Sequence, residues 1–193
     1  ILADFGTSQI QIHSTPGLSI FRDSDLDMRF DSSQDQKASD IINHLPVMEL
    51  ADIIYQYGEE RRSRRIARSI EKMRPLKSVF DLIEAIRRST PPNHRDRSLA
   101  RVFQAIRIKV NGELDKLESL LSSFVERLSI GGRISIISFH SLEDRIVKHN
   151  FKRLAKAGSL SILTKKPLIA TEEEMSLNRR SRSAKLRTAE RIA

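Results

Sequence analysis

The sequence predicts an α/β fold in which an open sheet carries an inserted module of helices. A β-branched run between turn residues, at residues 133–139, is typical of a buried parallel strand, and residues 1–4 are typical of the end of another. Between these runs, successive segments have the apolar spacing of amphipathic helices. The order of strand, helices, strand, helix and two further strands is the order expected of such a sheet.

The helical module is predicted between the two strands. Residues 6–36 are rich in Ser, Asp, Gln and Gly and lack sustained periodicity, so we expect a long ordered loop there. Four helices with short connections then follow, which indicates a small bundle. Their apolar stripes are Ala38, Ile41, Ile42 and Leu45; Leu50, Ile54 and Tyr57; Ile66, Ala67, Ile70 and Met73; and Val79, Leu82, Ile83 and Ile86.

A longer helix is predicted after the break at residues 91–94, with a kink at Asn111-Gly112. Its stripe consists of Phe103, Ile106, Val110, Leu114, Leu117, Leu121 and Leu128.

The second half of the sheet follows this helix. Ser141 and Asp144 have the spacing of a capping box, which predicts that residues 140–141 turn from the strand into a helix ending near Lys156. The remaining predicted elements are a strand near 161–165, an acidic turn at 171–174, a basic loop at 178–183 and a strand at 184–192.

Charge is the strongest compositional signal. The 193 residues include 34 Lys or Arg against 25 Asp or Glu, and residues 61–193 carry 31 of the bases but only 14 of the acids. We therefore expect a polyanion to bind the later part of the chain. The absence of Cys excludes a disulfide scaffold, a thiolate metal site and a Cys nucleophile. No run of about 20 apolar residues and no signal-peptide pattern occurs, so we expect a soluble, cytoplasmic protein.

The first candidate site follows the first predicted strand. Asp4 ends that strand and is followed by Gly6, which lets the backbone approach a ligand closely. Ligands of open α/β sheets bind beyond the carboxyl ends of the strands, so Asp4 is placed to contact a cofactor. The equally weighted alternative is an Asp that caps a turn.

The second candidate site, residues 138–145, follows the second predicted strand and so lies on the same edge of the sheet. Its polar side chains suit proton transfer or substrate orientation, and the candidates are His140, Glu143 and Asp144. The alternative is that Ser141 and Asp144 cap the helix, Glu143 is solvated and His140 only fills the crevice.

Arginine clusters at residues 61–68 and 178–183 suit phosphate binding, because guanidinium groups match phosphate oxygens. The alternative is a solvated charged face, with Glu59, Glu60 and Glu71 neutralising part of the first cluster. No RRM, KH or zinc-finger signature accompanies the charge. We also find no GxGxxG, P-loop or HExxH motif and expect no metal.

Segments in order over nearly the whole chain resemble the bacterial 16S ribosomal RNA cytosine-N4 methyltransferase family, which uses S-adenosylmethionine. The run at residues 135–145 is highly specific to this family. The chain departs from the family pattern at residues 97–100 and at Arg179. The segments that carry the resemblance are residues 4–8 with Gln11, 26–29, 57–61, 65–68, 103–108, 110–111, 113–114, 131–148 and 181–187.

The resemblance implies the C-terminal part of a class I, Rossmann-like methyltransferase sheet. An α-helical substrate-recognition domain at 34–98 would then interrupt core segments 1–33 and 99–193. It also implies methylation of the N4 amine of a cytidine in the decoding region of 16S ribosomal RNA. Asp4 and Gln11 match the residues that contact S-adenosylmethionine. The RNA-binding candidates are Arg61, Arg65, Arg68, Arg107, Arg179, Arg180 and Arg182.

The family's Gly-rich cofactor loop has no counterpart in this sequence, which begins without Met inside a predicted strand. We therefore expect an N-terminally truncated chain that is inactive by itself. The expected partner is 16S ribosomal RNA or the small ribosomal subunit. Which of these is the substrate, and whether the protein is a homodimer, the sequence leaves open.

Two other classes of function are compatible with the basic surface. A non-catalytic RNA-binding or ribosome-assembly fragment would lack methyl transfer, and a Gly-rich strand-turn-helix motif upstream would argue against it. A basic transcription factor is disfavoured, because no helix-turn-helix spacing with a recognition helix is present.

Overall fold

The computed structural model describes residues 1–7 and 9–193, which form two compact units. The helical unit is Thr7–Glu113, and the sheet unit is Ile1–Gly6 with Leu114–Ala193. Ser8, which belongs to the motif at residues 4–8, lies outside the described residues. Within the described residues, no helix combines the length and the apolar character that a membrane crossing requires.

The helical unit confirms the predicted bundle. The apolar stripes read from the sequence are buried in one core, with Ile41, Ile54, Ile66 and Leu82 fully enclosed. One helix, α1, occupies part of the stretch at 6–36, so the prediction of loop throughout that stretch is wrong. The helices are α1 (Gln9–Ser14), α2 (Ala38–His44), α3 (Val47–Gly58), α4 (Ser63–Met73), α5 (Val79–Ser89) and α6 (Arg95–Asn111).

This unit is wider than the module predicted at 34–98, because α6 shares its core. Leu99, Val102 and Ile106 of α6 pack with the side chains of α2–α5. The side chain of Asn111 also attaches the loop between α1 and α2 to the end of α6. Its Oδ1 accepts from the N–H of Phe30 at 2.8 Å, and its Nδ2 donates to the carbonyl of Met28 at 2.9 Å. The assignment of substrate recognition to the helices stays a prediction.

The single kinked helix predicted after residue 94 is two helices. Gly112 has a φ of +58°, a left-handed conformation that favours glycine, and its N–H bonds to the carbonyl of Ile108 to end α6. The next helix, α7 (Glu113–Ser123), starts immediately after it. The predicted stripe is therefore divided, with Phe103 and Val110 in the core of the helical unit and Leu117 and Leu121 in that of the sheet unit.

The sheet unit confirms the α/β class, and its five described strands form a mixed sheet. Along the sheet the order is β1-β2-β5-β3, and β4 pairs with β5 beside β3. β1 is parallel to β2, whereas β5 is antiparallel to β2, β3 and β4. The strands are β1 (Leu2–Asp4), β2 (Arg133–Ser138), β3 (Leu160–Ile162), β4 (Leu168–Ile169) and β5 (Lys185–Arg191).

Two further helices and two short 3-10 helices, of which the first is Val125–Arg127, complete the described part of this unit. Helix α8 (Ser141–Lys156) packs against the sheet, where Val147 and Phe151 join the core with Ile134 and Ile136. The predicted acidic turn is the helix α9 (Glu172–Leu177), and the predicted basic loop is a 3-10 helix, Arg179–Ser183.

Candidate functional site

The two strand-end motifs lie side by side, as the sequence predicts. Asp4 is opposite Ile137 in the parallel register, and the N–H of Phe5 continues the ladder with a 3.1 Å bond to the carbonyl of Ile137. Because the strands run in the same direction, both motifs begin at the carboxyl edge of the sheet. A Cβ on Gly6 would lie 2.6 Å from the ring of Phe139, so glycine allows the two loops to meet this closely.

The exposed side chain of Asp4 is suited to both roles considered from the sequence. Its Oδ1 accepts from the N–H of Gly6 at 3.3 Å, which forms the turn after β1. Its Oδ2 makes no hydrogen bond to any described residue, and the side chain as a whole is exposed. One carboxylate oxygen thus shapes the turn, and the other is available to a ligand.

The first turn of α8 is capped one residue earlier than the sequence predicts. His140 has extended backbone angles and is the N-cap, so the capping box pairs His140 with Glu143 and the predicted pairing of Ser141 with Asp144 is wrong. The Oε2 of Glu143 accepts from the N–H of Phe139 at 2.8 Å and from that of His140 at 3.3 Å. Glu143 is therefore a buried cap and not a solvated acid.

The ring of His140 is held over this turn, with 10% of its side chain exposed. Its Nδ1 accepts from the N–H of Glu143 at 3.4 Å, so the proton of the neutral ring resides on Nε2. This Nε2 lies 3.2 Å from Oε1 of Glu143 but has no aligned hydrogen-bond partner among the described residues. It is the polar atom of the turn that the fold itself leaves unsatisfied.

Asp144 is committed to an ion pair. Its Oδ1 and Oδ2 accept from Nε and Nη2 of Arg187 at 2.6 and 3.2 Å, and Nζ of Lys185 is 3.8 Å away. Burial alone raises the pKa of Asp144, but the hydrogen bond and charge of Arg187, with Lys185 and Lys148, outweigh it and hold this pKa below its ordinary value of 3.8. Asp144 therefore stays ionised and paired.

The other cofactor candidate, Gln11, lies in α1 of the helical unit. Asp4 belongs to the sheet unit, so the two cofactor candidates are carried by different units.

The arginines before and on α4 are exposed. Arg61 precedes the helix, Arg65 and Arg68 lie on its outer face, and none of the three forms an ion pair with a described residue. Glu60 is buried, accepts from Oγ of Ser98 at 2.8 Å and forms ion pairs with Arg62 and Arg101 at 4.0 and 3.7 Å, so it neutralises part of the cluster at Arg62. Arg61, Arg65 and Arg68 are thus left without a carboxylate partner among the described residues, whereas Arg62 has one.

Arg107 differs from the other RNA-binding candidates. Its Nε and Nη2 donate to Oε1 and Oε2 of Glu113 at 2.8 and 2.9 Å, a bidentate pair within the helical unit. Its charge is therefore already balanced by a carboxylate.

Basic residues near the C-terminus separate into two groups. Lys185 and Arg187 pair with Asp144, and Arg191 donates to the carbonyls of Val125 and Leu128, so these three serve the fold. The other group is exposed and forms no ion pair with Glu172, Glu173 or Glu174 within the described chain; it consists of Arg179, Arg180 and Arg182.

A comparison with models of protein families shows to which family the chain belongs. The model of the MraW methylase family matches residues 1–192. The chain belongs to this family. Its members are class I methyltransferases, in agreement with the α/β sheet and helical insertion described above.

Similar proteins carry a more specific name. "Ribosomal RNA small subunit methyltransferase H" of Trichormus variabilis is 52% identical over 198 residues, covering 100% of this chain and 64% of the relative. Proteins of the same name from Thermosipho africanus and Nostoc punctiforme are 49% and 51% identical, cover 100% of this chain, and are covered over 66% and 65% of their lengths. The chain thus spans a little less than two thirds of these family members.

We expect Asp144→Asn to lower the free energy of unfolding at pH 7 by about 2 kcal/mol, because it leaves Arg187 buried without its carboxylate. The folded-state pKa of Asp144 lies below 3.8, so this stabilisation is complete above that pH and is lost as the pH falls through the lowered value. Denaturant unfolding at pH 7 and pH 3 measures both effects.

Glu190→Gln is the matched control, because Glu190 on the same strand pairs with Arg133, whose side chain is 67% exposed. Its loss should stay below about 0.5 kcal/mol. Equal losses in the two variants, or a loss for Asp144→Asn that does not shrink in acid, would contradict the role given to the buried pair.

Proposed function

We propose that the protein transfers a methyl group from S-adenosylmethionine to the N4 amine of a cytidine in the decoding region of 16S ribosomal RNA. The supporting observation is the family match over residues 1–192, together with 49–52% identity to proteins named small-subunit ribosomal RNA methyltransferases. The resemblance of the motifs supports the choice of nucleotide and atom.

The cofactor fits the edge of the sheet at which β1 ends. When bound, S-adenosylmethionine supplies an electrophilic methyl group on its sulfonium. The open Oδ2 of Asp4 can accept a hydrogen bond from a hydroxyl or amino group of the cofactor, while Oδ1 keeps the turn in place. Gln11 is the second cofactor residue that we propose, on the strength of the resemblance.

The turn at the start of α8 is proposed as the pocket for the cytosine. The base must leave its stack for its amine to be reached in line with the methyl group. His140 makes the contact to the base, since its Nε2, which is buried within the turn, has no hydrogen-bond partner among the described residues and can donate to a ring acceptor of cytosine when the base enters. Glu143 positions His140 through the cap, and Asp144 fixes the turn to β5.

RNA phosphates are proposed to bind two basic surfaces, one on each unit. The first contains Arg61, Arg65 and Arg68, and the second contains Arg179, Arg180 and Arg182. Exposed arginines without internal partners release counterions when they bind phosphate, and this contributes affinity. Arg107 stays an RNA-binding candidate from the resemblance, although Glu113 already holds its guanidinium.

The activity test uses the protein as its gene encodes it, with unmodified small ribosomal subunits, naked 16S ribosomal RNA and methyl-labelled S-adenosylmethionine. We expect label in a single cytidine of the decoding region, identified as N4-methylcytidine by nuclease digestion and mass spectrometry. Label at another atom or nucleotide would contradict the proposed specificity. RNA binding without any methyl transfer would instead favour a ribosome-assembly protein.

In the same protein, we expect Asp4→Ala to weaken S-adenosylmethionine binding by about 10- to 100-fold, the value of a hydrogen bond to a charged group. RNA affinity should not fall, since a carboxylate repels phosphate. Calorimetry and RNA titration measure the two affinities, and Asp115→Ala, an exposed acid on α7, is the control. Equal losses of both affinities would argue against Asp4 as a cofactor residue.

We expect the triple variant Arg179→Ala, Arg180→Ala and Arg182→Ala to flatten the salt dependence of RNA binding by about two units, at 0.7–0.9 per lost phosphate contact. Filter binding from low to moderate salt measures the slope. A triple variant of exposed lysines outside both surfaces, at Lys109, Lys116 and Lys156, is the charge-matched control. An unchanged slope with a lower melting temperature would mean that these arginines stabilise the fold.

A further inference from the structure

A small cavity in the sheet unit is lined by neither Asp4 nor His140, although its lining includes Arg187, the partner of Asp144. It has a volume of about 280 Å³ and lies between the second half of α8 and the segment that follows β3. In the sheet order this segment is on the far side of β5 from β2. The lining of the cavity includes Lys148, Phe151, Lys152, Ile162, Thr164 and Lys165.

The cavity is preformed by packing and by hydrogen bonds. Phe151, on its floor, is buried against Phe124, with 6.1 Å between the ring centroids. The opposite wall is anchored to Thr188 of β5. The N–H of Thr188 donates to Oγ1 of Thr164 at 2.9 Å, and the carbonyl of Thr188 accepts from the N–H of Leu163 at 3.0 Å. A ligand therefore meets an apolar slot whose walls are held by packing and by backbone hydrogen bonds.

The rim of the cavity is entirely basic. Lys148, Lys152 and Lys165 are exposed and form no ion pair with any described residue. Arg187 also lines the cavity with 7% of its side chain exposed, and it bonds to Asp144 through Nε and Nη2 only, which leaves Nη1 for a ligand. Lysine stems can lie along an apolar floor while their ammonium groups stay at the rim.

We propose that this cavity binds one nucleotide of a single-stranded RNA segment, a nucleotide other than the cytidine that is methylated. The base lies on the apolar floor at Phe151 and Ile162, and the flanking phosphates contact Lys152 and Lys165. The inference rests on the proposed RNA substrate and extends it to a second contact on the sheet unit.

The combination of floor and rim favours a nucleotide over other anions. Every base has a flat apolar face, and single-stranded RNA is bound by such faces together with a basic track for the backbone. An acidic peptide would satisfy the lysines but leave the apolar floor uncovered. A volume near the lower limit of ligand pockets, about 300 Å³, suits a single base.

The test compares two double variants of the chain that remove the same charge. Lys152→Gln with Lys165→Gln changes the cavity rim, and Lys156→Gln with Lys166→Gln changes exposed neighbours on α8 and the same loop that do not line the cavity. We expect the rim variant to bind a single-stranded RNA oligomer about tenfold more weakly than the control variant, as expected for lost phosphate contacts. Unchanged melting temperatures verify that both variants fold.

A second measurement reports the base directly. The Ile162 methyl resonance, assigned from its loss in Ile162→Val, should shift on titration with the RNA oligomer because a stacked base lies against it. An abasic strand of the same length should not shift it. Uridine 5′-monophosphate should shift it only at far higher concentration, and a polyglutamate peptide should not shift it at all.

Several outcomes would overturn the inference. If RNA binds, Ile162 does not respond and the two double variants bind alike, the cavity is not an RNA contact, while the methylation proposal stands on its own assay. A shift as large with polyglutamate would assign the cavity to an acidic protein partner. Saturation by the free nucleotide without tighter binding of the oligomer would assign it to a small molecule. Absence of both RNA binding and ribosomal RNA methylation would refute the proposed function as well.

Discussion

The ion pair between Asp144 and Arg187 is the contact on which the candidate site depends. It joins the first turn of α8 to β5, whose neighbour in the sheet is β2. The helix therefore starts at a fixed position relative to the strand that precedes it. Arg187 is buried and Asp144 is partly buried, so the pair has a desolvation cost. Two hydrogen bonds between the side chains and the nearby charge of Lys185 offset this cost.

This anchoring explains why His140 can stay poised without a complete set of hydrogen bonds. The cap formed by Glu143 and the pair formed by Asp144 follow one another in a single helical turn. One carboxylate satisfies the backbone, and the other holds the turn against the sheet. The imidazole of His140 lies between the strand and the helix, and its Nε2 has no hydrogen-bond partner among the described residues.

Much of the fold can be predicted from the sequence, because periodic burial is a local signal. The stripes at Ile41, Ile54, Ile66 and Leu82 are buried as their spacing predicts. The register of the cap could not be predicted, since it depends on the backbone angles of His140, and histidine is not a common N-cap residue. The sequence predicts a kink at Gly112 and not a helix end, because a left-handed φ does not show in a hydrophobic stripe that continues on both sides.

The sequence predicts where the candidate site lies, but not which of its charged side chains form ion pairs within the fold. A count of bases near the C-terminus cannot distinguish Arg187 and Arg191, which the fold uses, from Arg179 and Arg180, which it leaves exposed. The lysines of the cavity were missed for a related reason. Lys152 lies on α8 and Lys165 lies in the loop after β3, so no helical or strand periodicity relates them, and it is the packing of α8 on β3 that brings them to one cavity.

The parallel pairing of β1 with β2 has a consequence for synthesis on the ribosome. The backbone contact between Ile1 and Arg133 joins residues 132 positions apart, and the whole helical unit lies between them. At about 5–20 residues per second, β1 waits on the order of ten seconds for its partner strand to emerge. The helices, whose contacts are more local, can fold during that interval, and a folded insert shortens the disordered chain that must close when the strands meet. Translation order thus favours completion of the bundle before closure of the sheet.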